Sequence, residues 1–374
     1  MAGEAASALG LSLAVLAERP DDAACAVATE VVIGSPGNEE DVRSLAERCQ
    51  VITFDHEQVD LAVLRTMVAE GVIVRPGIAT LEMAVDKAYM RAALSDAGVP
   101  VPAHTVLAAG PAAGASIAEF ASAHGWPVVL KTARGGYDGK GVWMVGDRAE
   151  AASVLADLSG TVLVEELVPL QAELAVMVAR RPSGEAVAWP PVETAQVDGV
   201  CREVLVPGRL PPDVVRDATA LAQQVAEIAG AVGVLAVELF WSNGRLLVNE
   251  IAARPHNSGH WTMEGAVTSQ FENHLRAVLD LPLGSTEPQH RQVASVNIFG
   301  GTDGQDPAAL LPLGLAIEGA HVHLYGKEAR PGRKLGHVTV CGDDAEAVRR
   351  SAWAAALALG TPRPANLIVP AGLT

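Results

Sequence analysis

Two glutamates carry the first hint of chemistry. Glu238 lies in LAVELF and Glu250 in LLVNEI, on either side of Ser242-Asn243-Gly244. That tripeptide is a strong hairpin signal, so the two carboxylates belong on opposite arms of one hairpin. If both face the same side, they pair across it. Like charges held together in a partly buried place are costly unless a cation bridges them. Hard oxygen ligands suit Mg²⁺, which sits on one or two carboxylates plus substrate phosphates. Asn249 adds an oxygen beside them. Two separately solvated glutamates would give the same letters, but each is flanked by apolar residues.

Three further segments carry polar chemistry. Gly135, Gly136, Gly139 and Gly141 fall within seven residues, just after VVLK, which ends in Lys131. Glycines let backbone N–H groups approach phosphate oxygens closely, and Lys131 can add positive charge there. The pattern fits neither a Walker A loop nor a Rossmann fingerprint, and alone it also fits a ligand-free hairpin. ARPHNSGHWT gathers Arg254, His256, Asn257, Ser258, His260 and Thr262. Pro255 and Gly259 make it a loop, so it reads as an anion-binding and acid–base segment and not as a helical zinc site. KEARPGRKLGH puts Lys327, Arg330, Arg333 and Lys334 around a Pro-Gly turn. Arginine forks suit phosphate. A solvated charge run is the ordinary alternative, but the chain as a whole is acidic.

The net charge is −17 over 374 residues. It speaks against non-specific nucleic-acid binding, while a local basic pocket can still take an anionic substrate. No apolar run reaches the roughly 18–20 residues of a membrane span. The opening MAGEAASALG lacks the basic region of a signal peptide. Cys25, Cys49, Cys201 and Cys341 are far apart, with no C-x-x-C pair. A reduced, cytoplasmic protein with small-molecule partners, no nucleic acid and no membrane is expected.

These residues need elements to hold them. A helix over 2–9, strands at 11–17 and 31–34, a helix over 39–49 and a strand at 51–57 predict a parallel α/β unit. Ligands bind beyond the carboxyl ends of such strands, where Glu18, Asp55, His56 and Glu57 fall. A doubly wound unit opens with a strand and a glycine-rich turn, whereas this chain opens on the helix. The expectation is that a first strand and its phosphate loop are missing. A helix over 86–98 is followed by a strand, then a helix at 116–125. Residues 126–145 read as strand, glycine loop and strand. A helix at 149–158 and a strand at 161–169 follow, and alternating segments then continue an antiparallel sheet. A long helix at 212–233 precedes the glutamate hairpin, and a last helix spans 344–359.

In this order, the segments resemble the ATP-grasp superfamily: a lysine, a glycine-rich hairpin, E-E-L-V, then glutamates on a hairpin ending in N-E. Within it, GGYDGKG, NEIAARPHNSGHWT, KEARPGRKLGHV and TFDHEQV resemble the N5-carboxyaminoimidazole ribonucleotide synthases over nearly the whole chain. The resemblance implies a carbon–nitrogen ligase of α/β class (α+β in the ATP-grasp part). It divides the chain into a truncated Rossmann-like domain over 1–85, an ATP-grasp domain over 86–285 with a mobile lid at about 103–164, and a small β-rich domain over 286–374. It implies that Lys131 and the loop Gly135, Gly136, Tyr137, Asp138, Gly139, Lys140 and Gly141 hold the ATP phosphates. Glu165, Glu166, Leu167 and Val168 would line the adenine site and Glu173 would bind the ribose. Glu238 and Glu250 would bind Mg²⁺, with Asn249 beside them. Glu57, His256, Asn257, Ser258, Lys327, Arg330, Arg333 and Lys334 would surround 5-aminoimidazole ribonucleotide. Tyr137, Asp138, His256, Lys327 and Arg333 would act in its carboxylation by bicarbonate through carboxyphosphate. A homodimer is also implied. A formate-dependent purine transformylase, a biotin-carboxylase-like or peptide-type ligase, or an inactive ATP-binding fragment remain the alternatives. Lys140 stands where relatives often carry arginine.

Overall fold

A computed structural model describes residues 1–110, 113–136 and 139–367. The chain first forms a helix, Ala2–Ala8, and two short strands, β1 (Ala14–Ala17) and β2 (Glu30–Ile33), which pair in parallel. Helices Glu39–Ala46, Leu61–Ala69, Ile78–Val85 and Lys87–Asp96 complete this part. Asn38, Asp60 and Asp86 cap three of them, each side chain accepting backbone N–H groups at the exposed N-terminus. The strand expected at 51–57 does not form. Only Ile52 bridges to Val74, and residues beyond it turn to carry Glu57 into the interior. The helices at 61–69 and 78–85, unread in the sequence, pack Leu64, Met67 and Leu81 against the main sheet.

Next comes a four-stranded antiparallel sheet of β3 (His104–Ala108), β4 (Val128–Thr132), β5 (Val142–Val145) and β6 (Thr161–Glu166), in the order β3-β6-β4-β5. Its period-two pattern divides the faces. Val128 and Leu130 pack on helices Ala113–His124 and Arg148–Ala156. Val129 and Lys131, one residue over, face a cavity.

The main sheet holds β7 (Ala172–Arg180), β8 (Ala186–Ala188), β9 (Val192–Val197), β10 (Val200–Val206), β11 (Gly233–Ser242), β12 (Arg245–Ala252), β13 (Gln292–Phe299), β14 (Ala320–Leu324) and β15 (Lys334–Gly342). Its order is β12-β11-β7-β9-β10-β13-β15-β14, with β8 on β7. β13 pairs with β10, so the sheet runs unbroken across residue 286. Both faces are apolar along much of β7: Leu174, Val176 and Val178 meet helix Pro212–Ile228, while Ala175 and Met177 meet Trp189 and Trp261. Helix Ala345–Ala358 closes the far end, where buried Glu203 accepts from Arg349 at 2.7 and 2.9 Å and from the Trp353 indole at 2.8 Å.

Candidate active site

The two sheets face each other across a cavity of about 1590 Å³. Its charged centre is a chain of buried groups. Lys87 and Arg91 lie one turn apart on a single helix, so they share a face. The Arg91 guanidinium, 1% exposed, donates to Glu165 Oε1 on β6 at 2.5 Å and to the Val248 carbonyl on β12 at 3.1 Å. The other oxygen of Glu165 holds Lys131 Nζ at 2.6 Å, and Lys131 also reaches Asn249 Oδ1 at 3.1 Å. Burial alone would push the Glu165 carboxyl up, but Arg91 and Lys131 hold it below the usual carboxylate range. Lys87 Nζ sits 2.5 Å from Glu250 Oε1. The ammonium of Lys131 therefore stands in the cavity wall fixed from two sides.

The carboxylates meet it from the main sheet. Glu238 and Glu250 are direct register partners on β11 and β12. The register slips immediately beyond them, so Asn249 and Glu250 together oppose Glu238. A regular strand sends neighbouring side chains to opposite faces, and the bulge turns both into the cavity. Hairpin residues Asn243 and Gly244 have φ of 49° and 74°, as the sequence led one to expect for this turn. Burial first, then Glu250 and Glu173, push the Glu238 carboxyl well above its ordinary range. Burial raises Glu173 to about 7, against the opposing pull of Lys131. That surplus of negative charge fits a dication. Among the described residues no three His, Cys, Asp or Glu side chains form a metal cage. Glu238 and Glu250, with Asn249 beside them, would offer the hard oxygen ligands that suit Mg²⁺.

Most of the expected residues line this one cavity: Gly135, Gly136, Gly139, Glu166, Leu167, Val168, Glu173, Glu57, His256, Asn257, Lys327 and Lys334 join the groups already named. Glu165 lies under the wall as the counter-ion of Lys131 and is 2% exposed. Glu57 accepts from Ala253 N at 3.0 Å and Arg254 Nε at 2.7 Å, tying the early segment to the polar loop. His256 Nε2 stands 3.5 Å from Glu238. Burial, with Arg254 and Lys334 adding to it, holds this imidazole neutral. The loop expected at 253–262 turns through a short 3-10 segment, so the two histidines part: His260 Nδ1 meets the Tyr325 hydroxyl at 3.1 Å.

Other expected residues lie elsewhere. Ser258 is buried outside the cavity and bonds His256 Nδ1 at 2.8 Å, so it orients the ring. Arg330 is exposed and reaches Glu328 at 2.5 Å, and Arg333 donates to the Glu328 carbonyl at 3.1 Å. Neither lines the cavity, because the Pro331-Gly332 turn sends both to the rim while β15 carries Lys334 inward. Lys140 is exposed, and Gly141 crowds Thr132 at the hairpin base. Tyr137 and Asp138 lie outside the described residues. Lys87 and Arg91 escaped the sequence reading. Two cations spaced i, i+4 behind the Asp86 cap were the available signal. Arg134, at 2.8 Å from Asp86, also lines the cavity.

The likeness to known proteins runs along the same lines. Residues 92–271 match the ATP-grasp domain family, and residues 1–85 the ribonucleotide synthetase preATP-grasp domain. Residues 294–351 match the phosphoribosylaminoimidazole carboxylase C-terminal domain. The N5-carboxyaminoimidazole ribonucleotide synthase of Mycobacterium tuberculosis is 47% identical over 355 residues, covering 92% of this chain and 81% of the relative. The chain belongs to the N5-carboxyaminoimidazole ribonucleotide synthase family. A solved synthase of this family from Thermus thermophilus superposes with a TM-score of 0.84 at 37% identity, covering 94% of this chain and 93% of that one. The synthase of Aspergillus clavatus, solved with ADP and 5-aminoimidazole ribonucleotide, gives 0.87 at 29%, covering 96% and 95%.

Two outcomes follow. Arg91→Met removes one partner of a buried pair, so stability falls by about 3–5 kcal/mol in denaturant unfolding. The same variant shows a raised KM for ATP, because Glu165, the counter-ion of Lys131, loses its anchor. Glu173 has a folded pKa near 7 against an ordinary 4.5. Its protonated form stabilises the nucleotide-free protein fully below about pH 4.5, and that contribution is lost as pH rises through about 7. Relative to wild type, Glu173→Gln therefore gains roughly 1–2 kcal/mol between about pH 5 and 8, read from melting curves. A flat difference would remove the assignment.

Proposed function

We propose that this chain couples ATP cleavage to the carboxylation of 5-aminoimidazole ribonucleotide, giving N5-carboxyaminoimidazole ribonucleotide, ADP and phosphate. The observation that carries this reading is the pairing of a fixed Lys131 on one sheet with Glu238 and Glu250 on the other, across one cavity. Lys131 and the amides of the glycine loop bind ATP phosphates. Leu167, Val168 and Phe240 give an apolar wall for adenine, and Glu173 takes the ribose hydroxyls. Glu238 and Glu250, with Asn249 beside them, would hold Mg²⁺, which would supply positive charge against the phosphates. Lys327, Lys334 and Arg254 line the cavity beyond the carboxylates and suit the phosphate of the ribonucleotide. His256, held neutral, can accept a hydrogen bond from the substrate there.

The reaction runs in two stages. Bicarbonate oxygen attacks the γ-phosphorus and ADP leaves, giving carboxyphosphate. The exocyclic amine then takes the carboxyl carbon and phosphate departs. Phosphoryl transfer needs positioning and charge neutralisation, which a preorganised lysine and loop amides provide. Residues 103–164 act as a lid that shields the labile intermediate from water. We assign the Mg²⁺ site, a homodimeric state and a cytoplasmic setting from the family resemblance. The four free cysteines support a reducing compartment.

The test is ADP release with ATP, Mg²⁺ and bicarbonate, with and without 5-aminoimidazole ribonucleotide. Release is expected to depend on the ribonucleotide. Glu250→Ala loses turnover by about 100-fold or more while its circular dichroism stays that of the wild type. Release that ignores the ribonucleotide would point to another acceptor, and full turnover in Glu250→Ala would remove the metal assignment.

A further inference from the structure

The glycine loop meets the main sheet backbone to backbone. Gly139 of the loop rests on Asp198 and Gly199, the turn that joins β9 to β10. A Cβ on Gly139 would lie 2.7 Å from the Asp198 carbonyl oxygen, and one on Gly199 would lie 2.7 Å from the Gly139 Cα. Van der Waals contact between carbons needs about 3.5–4 Å, and backbone cannot rotate aside as a side chain can. Only two glycines allow this approach. Gly139, Asp198 and Gly199 all line the cavity, so the contact closes its wall.

We propose that the Asp198–Gly199 turn is the seat on which the glycine loop closes, and that Gly199 is a positioning residue for transfer of the carboxyl group. This rests on the carboxylase reading above. In the productive course, the amine nitrogen bonds to the carboxyl carbon of carboxyphosphate. The carbon–oxygen bond to phosphorus breaks, and phosphate leaves with the electron pair and takes the amine proton. With the loop held off its seat, water attacks carboxyphosphate instead and yields bicarbonate and phosphate. ATP is then hydrolysed without carboxylated product. A loop displaced by about 1 Å is enough to cost on the order of 100-fold in a positioned reaction.

The fold supplies its own control. The hairpin turn Asn243-Gly244 has φ of 49° and 74°, and Asp198-Gly199 has 54° and 72°. Alanine at either glycine meets the same left-handed backbone strain. Nothing lies within 4 Å of a Cβ at Gly244, whereas Gly199 faces the loop. ADP and ¹⁴C-carboxylated ribonucleotide are measured in the same reaction for wild type, Gly199→Ala and Gly244→Ala. The ratio of the two does not depend on how much enzyme is folded. For Gly199→Ala, ADP formed per carboxylated nucleotide is expected to rise about threefold or more, with Gly244→Ala at the wild-type ratio. An unchanged ratio in Gly199→Ala, or an equal rise in both variants, overturns the seat while the carboxylase reading stands. A wild type that carboxylates no ribonucleotide overturns both.

Discussion

The structure turns on one buried ion chain, from Arg91 through Glu165 to Lys131 and Asn249. Three of its members lie at 1%, 2% and 9% exposure, where an unpaired charge would be far too costly. Each is therefore committed to the others. Arg91 bonds β6 of the small sheet and β12 of the main sheet with one side chain, so it fixes the junction at which the two meet. Lys131 spans the same gap a few ångströms nearer the cavity. A pair of this kind adds little net stability over apolar residues, but it ties β4 and β6 to β12 at fixed distances. Lys131 is thereby held in place by the fold itself.

The opposite wall is built on the reverse principle. Glu173, Glu238 and Glu250 crowd three carboxyls into this wall, where Lys87 and Lys131 partly offset them. Burial keeps two of these carboxyls unusually basic. A site strained in this way gains affinity for cations, because a dication relieves both desolvation and mutual repulsion. One wall presents fixed positive charge and the other a cluster of closely spaced carboxyls. Lys334 of β15 and Arg254 of the polar loop after β12 add positive charge to the same cavity.

The main sheet explains how such distant segments converge. Its strands come from residues 172 to 342, and the late strands add to β10 instead of forming a separate layer. Lys334, Glu238 and Asp198 therefore ride on one rigid surface. The early helices add Lys87 and Arg91 from the side, and Glu57 ties the preceding segment to Ala253 and Arg254. The small sheet faces this surface through its lysine and its glutamate, and Gly139 of the loop after β4 meets Asp198 and Gly199.

Much of this was legible in the chain. The strand, glycine loop and strand pattern marked β4, period-two alternation marked β7, Asn243-Gly244 marked the hairpin, and the order of lysine, glycines and glutamates marked the family. These are local properties, set by backbone sterics and by which faces must be apolar. The strand expected at 51–57 failed because its polar end is recruited by Arg254, nearly 200 residues away. Arg330 and Arg333 read as well as Lys334, but a turn directs them outward. Lys87 and Arg91 went unremarked within the helix read over 86–98. The bulge that turns Asn249 and Glu250 to one side has no mark in the letters NE. The sequence by itself determined the elements, their class and the chemistry of their side chains. Only the tertiary structure decided which charges are desolvated and paired, because burial depends on neighbours that the chain brings from far away.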